Sequence, residues 1–212
     1  MLWGIFKLEE RQLIRLPAYS KTDVQPCTLL YLGFASGGRR RSEIAVADLR
    51  DLRAIGPGQY VYRLSTARRS RPGRARRPPP DKPILSVAGA ALVAWLEASQ
   101  LREGPLFRRL WKTTLGPGLS GEAVAEIVQR RARQASQRGD FGGHSLHSGF
   151  VTEGGRQGIA LHALMAMTEH RSVASVNDYF PAGRGQGQSG RPPAPSVELA
   201  RPAFTFPPPL KL

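Results

Sequence analysis

The segment from Phe141 to Tyr179 constrains the fold and the chemistry of this chain more than any other stretch. It holds Tyr179, the only tyrosine in the C-terminal half, and every histidine of the sequence, namely His144, His147, His162 and His170. Histidine moves protons near neutral pH, and a tyrosine hydroxyl can act as a nucleophile once its proton is removed. The segment therefore predicts polar groups collected around one tyrosine hydroxyl, an arrangement that suits attack on a phosphate.

Apolar residues within this segment recur at helical spacing. Leu161, Leu164, Met165 and Thr168 share one face, and His162 lies off it. Pairs of glycines at 142–143 and 154–155 interrupt the pattern, as a helix end or a turn would. We therefore expect short helices that carry the polar groups at their ends.

The charge of the chain favours a polyanionic partner. Lysine and arginine number 31 against 16 acidic residues, which gives a formal net charge of +15. Double-stranded DNA is the simplest such partner, with RNA or an acidic membrane surface as alternatives. The single cysteine, Cys27, excludes an internal disulfide framework and fits a reducing cytoplasm. Residues 1–16 lack the apolar run of a signal peptide, and we expect a cytoplasmic protein with no membrane span.

The remaining pattern predicts a mainly α-helical fold with a small antiparallel β-sheet near residues 58–86. Residues 60–64 alternate as a strand does, and residues 83–85 form the expected return strand. Helices are predicted over residues 27–34, after Ser86 and after Ser120, with Trp95 in the core. Ser42 is expected to cap a short helix with Glu43 in its first turn, and Trp111 to pack beneath the extended residues 104–107.

A polybasic stretch separates the two predicted strands. It contains six arginines and the proline triplet 78–80, and is too polar to fold alone. We expect it to be an arm that becomes ordered on a phosphate backbone.

Four short phrases, in this order and spacing, resemble the tyrosine recombinases, or phage integrases. They are RRRSEI at 39–44, HSLH at 144–147, EHRS at 169–172 and DYF at 178–180. The resemblance covers roughly residues 28–183. Two positions depart from the family pattern: His147 replaces the second arginine of the signature, and Glu169 replaces the glycine that precedes the second histidine.

The resemblance implies site-specific DNA recombination or integration, in which Tyr179 attacks a phosphodiester and forms a 3′-phosphotyrosyl intermediate. Arg40 would clamp the phosphate, His144 would accept or donate a proton, and His170 would donate to the phosphate. The phosphotyrosyl bond keeps the phosphodiester energy, so no cofactor is expected. Because His147 stands where the family has a permanently charged arginine, one donor to the phosphate is missing. We therefore expect the rate of DNA cleavage to be lower by a factor of about 10²–10³.

Other roles also follow from the resemblance. Arg68 aligns with the lysine that protonates the leaving 5′ oxygen in the family, although arginine gives up its proton poorly. Lys82 is the second candidate for this general acid, because it is the lysine nearest to the same stretch. DNA contacts are expected from one further group of arginines: Arg39, Arg41, Arg69, Arg71, Arg130, Arg133 and Arg171. By the same resemblance, the protein would act as a homo-oligomer, a synaptic tetramer on DNA.

The chain divides into three parts on this interpretation. Residues 1–24 are a short segment, either a remnant of the family's DNA-clamping N-terminal domain or part of a truncated one. Residues 25–183 are the catalytic domain, and residues 184–212 are a disordered tail rich in proline and glycine.

Two alternatives remain open from the sequence. The first is a non-catalytic DNA-binding remnant of an integrase from a mobile genetic element, which the substitution at His147 favours. The second is a metal centre, because four histidines lie close together in sequence, although no cysteine or spaced carboxylate joins them.

Overall fold

A computed structural model describes residue 6, residues 20–63, 81–112 and 114–170, and residue 172. The described part contains helices α1–α6, two antiparallel sheets and a 3-10 turn at Leu49–Asp51. The helices are α1 (Lys21–Ala35), α2 (Arg41–Ala45), α3 (Ser86–Ser99), α4 (Gly121–Gln134), α5 (Ser145–Arg156) and α6 (Leu161–Thr168). The strands are β1 (Leu52–Gly56), β2 (Gln59–Tyr62), β3 (Lys82–Ile84), β4 (Arg108–Trp111) and β5 (Thr114–Gly118).

Helix α1 forms the centre of the core. Its N-terminus is capped by Ser20, whose hydroxyl accepts from the backbone N–H of Thr22 at 3.3 Å. Every residue from Val24 to Phe34 is buried, as expected for a helix that is enclosed on all sides. Helices α3, α4 and α5 and strand β3 all pack against it.

Hydrogen bonds satisfy the polar groups buried around α1. Thr28 donates its hydroxyl proton to Ala91 O on α3 at 2.7 Å, and Gln25 Oε1 accepts from the backbone N–H of Arg108 at 2.8 Å. The indole N–H of Trp95 donates to Leu106 O at 2.9 Å. Trp95 is fully buried, which confirms the sequence prediction for this residue.

The larger sheet has the strand order β1-β2-β3 and is antiparallel throughout. Tyr60 pairs with Ile84 and Tyr62 with Lys82, so the two predicted strands are confirmed as neighbours. Strand β1 escaped prediction because three of its five residues are exposed, and the alternating pattern of a half-buried strand is absent. The polybasic arm between β2 and β3 lies outside the described residues.

The prediction of a mainly helical fold with a small antiparallel sheet is confirmed. Two local predictions are wrong. Trp111 does not pack beneath residues 104–107, because it sits on the β4–β5 hairpin with 59% of its surface exposed. Ser42 does not cap α2, because the helix already begins at Arg41; instead Glu43 Oε2 accepts from the backbone N–H of Arg40 at 2.9 Å.

Within the described residues, no helix is both long and apolar enough to cross a membrane.

Candidate active site

A turn of two glycines after α1 brings three parts of the chain together. Gly37 and Gly38 have φ angles of +103° and +67°, which residues with a Cβ rarely adopt. A Cβ on Gly37 would overlap the carbonyl oxygen of Met167 near the end of α6. A Cβ on Gly38 would lie 2.8 Å from the Cα of His147 in α5. The residues after the turn therefore meet the start of α5 and the end of α6.

Four of the predicted catalytic residues converge at this meeting point. Arg40 immediately precedes α2, His144 immediately precedes α5, His147 lies in the first turn of α5, and His170 follows α6. The ring centroids of His144 and His147 are 5.3 Å apart, and those of His147 and His170 are 4.9 Å apart. The backbone N–H of Arg41 donates to Gly143 O at 3.2 Å, which ties the Arg40 segment to His144.

Exposure differs sharply among the four side chains. His147 is buried, with 2% of its surface exposed, and His170 is half-buried. His144 is exposed, and 52% of the Arg40 side chain is exposed. The cluster thus has an inner part formed by His147 and His170 and an outer part formed by Arg40 and His144.

Hydrogen bonds orient the two inner rings. His147 Nδ1 lies 2.6 Å from Gly38 O; because a carbonyl oxygen only accepts, this nitrogen carries the proton. The Nε2 atom of His147 then accepts from His170 Nε2 at 3.3 Å, and His170 Nδ1 lies 2.6 Å from the hydroxyl of Thr168. With both rings neutral, His170 donates to His147 and His147 donates to Gly38 O, and the Thr168 hydroxyl turns its proton from Leu164 O to His170 Nδ1.

The same chain can take one more proton. If both nitrogens of His170 are protonated, His170 Nδ1 donates to Thr168, and the Thr168 hydroxyl donates to Leu164 O at 2.8 Å. His170 Nε2 still donates to His147. The pair can therefore accept a proton with only a rotation of one hydroxyl group, which suits general acid–base catalysis.

The surroundings of the inner rings favour their neutral forms. Burial lowers the pKa of His147 to about 4; the Gly38 carbonyl opposes this shift, and the charges of Arg40, His170 and His144 add to it. Burial also lowers the pKa of His170, with further lowering by Arg40 and His144. At neutral pH these two rings are therefore uncharged, and Arg40 supplies a permanent positive charge beside them.

The arginines predicted to contact DNA occupy different environments. Arg41, Arg130 and Arg133 are all exposed, the last two on α4. Arg39 is buried: its Nε donates to Ser36 O at 2.9 Å and its Nη2 to Met167 O at 2.7 Å. The guanidinium of Arg39 is thus not at the surface for a phosphate, and we assign it a structural part instead.

Lys82 also lies inside the structure. Its ammonium group donates to Ala166 O at 2.8 Å, and 1% of its side chain is exposed. Burial, followed by the charge of Arg39, lowers the pKa of Lys82 to about 8. The other predicted site residues, Tyr179, Arg68, Arg69, Arg71 and Arg171, lie outside the described residues.

Sequence reasoning missed three features of the site. The Gly38 carbonyl and the Thr168 hydroxyl orient the histidine rings, and neither belongs to a recognisable motif. Glu169 contacts both Arg39 and Lys82, and the only signal for it was an acidic residue in place of the family's glycine. Within the described part of the chain, no three or more His, Cys, Asp or Glu side chains are arranged to hold a metal ion, so the geometry gives no support to a metal centre.

Comparison with known proteins gives one curated relative and several similar solved structures. No family model matches the chain. A curated protein of Selenomonas ruminantium, described as an integrase/recombinase xerD homolog, is 31% identical over 160 residues, which cover 73% of this chain and 46% of that protein.

Similar solved structures include two complexes of the XerH site-specific recombinase and the XerA recombinase. The XerH post-cleavage complex with its palindromic difH substrate has a TM-score of 0.58 at 16% identity, over 82% of this chain and 47% of that one. The XerH pre-cleavage complex with difH has a TM-score of 0.61 at 15% identity, over 84% of this chain and 49% of that one. XerA has a TM-score of 0.60 at 15% identity, over 83% of this chain and 57% of that one.

The fold is that of the catalytic domain of DNA breaking and rejoining recombinases. The curated relative and this shared fold both support the tyrosine recombinase family. The chain spans about half the length of the proteins that it matches.

Replacing Gly38 by alanine should displace the start of α5. Gly58 provides the matched control, because its φ of +64° is nearly the same but no atom lies within 4 Å of the site of its Cβ. Both substitutions cost about 1–2 kcal/mol for the left-handed backbone. Only Gly38→Ala adds a clash with His147, so we expect its unfolding free energy to fall by at least about 1 kcal/mol more. Urea unfolding measures both variants. An equal loss of unfolding free energy in the Gly38 and Gly58 variants would contradict the role assigned to the glycine turn.

The low pKa of His147 predicts a specific pH dependence of stability. Its value is about 4 in the folded chain against 6.5 in the unfolded one, so the unfolded state binds more protons between these limits. Stability should therefore fall as the pH drops from about 6.5 to about 4, by an amount on the order of 3 kcal/mol from this residue. His147→Gln should show a shallower loss in urea unfolding across that range. The same slope in both proteins would rule out a buried neutral His147.

Proposed function

We propose that this chain is the catalytic part of a site-specific recombinase that cleaves double-stranded DNA with Tyr179 and forms a 3′-phosphotyrosyl intermediate. The convergence of Arg40 with His144, His147 and His170 carries the proposal. These residues come from three separate segments of the sequence and meet in the order of the family phrases. The identity to an integrase/recombinase xerD homolog supports the same activity.

Arg40 would bind the phosphate that is cleaved. Attack by the tyrosine oxygen builds negative charge on the two non-bridging phosphate oxygens. A guanidinium group stays charged and engages two oxygens at once. A fixed donor of this kind stabilises the developing negative charge more than a water molecule does. The half-exposed side chain of Arg40 can reach a DNA backbone that lies across the cluster.

The histidines would move the protons. As the bond from the Tyr179 oxygen to phosphorus forms, the phenol must lose its proton, and the exposed imidazole of His144 would accept it. His170 would donate Nε2–H to the phosphate when its ring turns from His147. The bond from phosphorus to the 5′ oxygen breaks, and this oxygen takes a proton from a general acid, which the resemblance assigns to the position of Arg68.

The basic surface would hold the DNA and the assembly on it. Arg41, Arg130 and Arg133 are exposed, so all three can contact phosphates. Arg69, Arg71 and Arg171 stay predicted contacts. By family resemblance the protein would work as a synaptic tetramer on two DNA sites.

His147 gives a reason to consider a second function. It is buried and neutral where the family has a permanently charged arginine, so one fixed donor to the phosphate is missing. A domain that binds DNA through its arginines without cleaving it is therefore the second candidate.

Covalent trapping tests the proposed function. A DNA substrate nicked beside the cleavage point loses a short strand after attack, so the enzyme stays attached to the DNA. We expect a covalent complex with the parent protein that Tyr179→Phe abolishes and that Tyr60→Phe, a control outside the cluster, retains. DNA binding without a covalent complex in any protein would establish the non-catalytic alternative.

Restoring the arginine should accelerate attachment. His147→Arg supplies a charged donor beside Arg40, and we expect the rate of covalent trapping to rise by about 10-fold or more. His162→Arg adds the same charge at an exposed position of α6 and controls for stronger binding to DNA. An equal rise in both variants would mean that the gain comes from net charge, not from position 147.

A further inference from the structure

Glu169 ends helix α6 in a conformation that disfavours its own side chain. Its φ and ψ are 61° and 27°, in the left-handed region that glycine adopts freely and other residues avoid. By resemblance, the family has a glycine at this position. This backbone costs free energy, which contacts of the Glu169 side chain can offset.

Two buried cations provide these contacts. Glu169 Oε1 lies 3.2 Å from Arg39 Nη1 and 3.8 Å from Lys82 Nζ. Only 3% of the Arg39 side chain and 1% of the Lys82 side chain are exposed, against 32% for Glu169. A carboxylate shared by two desolvated cations stabilises more than a surface ion pair does. Removing it would leave Arg39 with the longer contact to Glu43 Oε2, at 4.0 Å, and would take the 3.8 Å contact from Lys82.

The same cations hold the end of α6. Arg39 donates to Met167 O at 2.7 Å and Lys82 to Ala166 O at 2.8 Å. The last carbonyl groups of a helix have no partners within the helix, so basic side chains placed there stabilise its C-terminus. Arg39 comes from the segment that carries Arg40, and Lys82 comes from strand β3.

We propose that Glu169 is a positioning residue, which locks the end of α6 to Arg39 and Lys82 and thereby fixes His170 against His147. His170 is the next residue along the chain, and its ring forms hydrogen bonds with Thr168 on one side and His147 on the other. Because Arg39 precedes Arg40, the same contact sets the segment that presents the phosphate clamp. The catalytic meaning of this role rests on the proposed function.

Two substitutions to glycine separate the ion pairs from backbone strain. Gln100 ends α3 with φ and ψ of 56° and 29°, nearly the angles of Glu169, and its side chain is exposed. Gln100→Gly should leave the melting temperature unchanged or raise it, because glycine suits these angles. Glu169→Gly gains the same relief, yet we expect its melting temperature to fall by about 4 °C or more.

Nitrogen NMR of the histidine rings distinguishes positioning from stability alone. In the DNA-free protein, the ring signals of His170 and His147 should move toward those of free imidazole in Glu169→Gly. The signals of His162, on the same helix but away from the cluster, should stay in place. Covalent trapping should slow by about 10–100-fold, as expected for a displaced catalytic group.

Glu169→Gln serves if the glycine variant does not fold, since it keeps the length of the side chain and removes its charge. It should move the same ring signals in the same direction. Unmoved His170 and His147 signals in a folded variant would overturn the proposal, whatever the melting temperature. Because the spectra need no DNA, a parent protein without covalent product would refute the proposed function and leave this test intact.

Discussion

The close approach of the Gly37–Gly38 turn to α5 and α6 is the constraint on which the rest of the site depends. No Cβ fits between this turn and the backbone at Met167 and His147. The contact lets the Gly38 carbonyl accept a hydrogen bond from His147 Nδ1 and places Arg40 beside both inner rings. Helix α1, enclosed by α3, α4 and α5, supplies the rigid base from which the turn departs.

Much of this arrangement could be predicted from the sequence, because strong local patterns carry it. The unbroken apolar run of α1 and the periodic helix around Trp95 are strong signals, and both helices are confirmed. The helix predicted for α6 is also present, and Leu164 and Thr168 of its predicted face are buried. The convergence of Arg40 with the three histidines followed from the order of the family phrases. Strand β1 and the exposed Trp111 could not be predicted, because an edge strand and a hairpin tip carry no burial pattern.

The electrostatic character of the cluster could not be predicted either, because it arises from tertiary burial. In sequence His147 is a weaker version of the family's arginine. In the structure it is a neutral ring that accepts a hydrogen bond from His170 and donates one to the Gly38 carbonyl. The cluster therefore combines a permanent charge on Arg40 with a pair of rings whose charge depends on what is bound beside them.

The run of three arginines shows how adjacent identical residues can acquire separate duties. Arg39 points inward with 3% of its side chain exposed, while 52% of Arg40 faces outward, as expected where extended backbone alternates its side chains. Composition describes the run as a single patch of charge. Deletion of one of these arginines would barely alter the amino-acid content. It would, however, leave two guanidinium groups for three positions, one buried and two exposed.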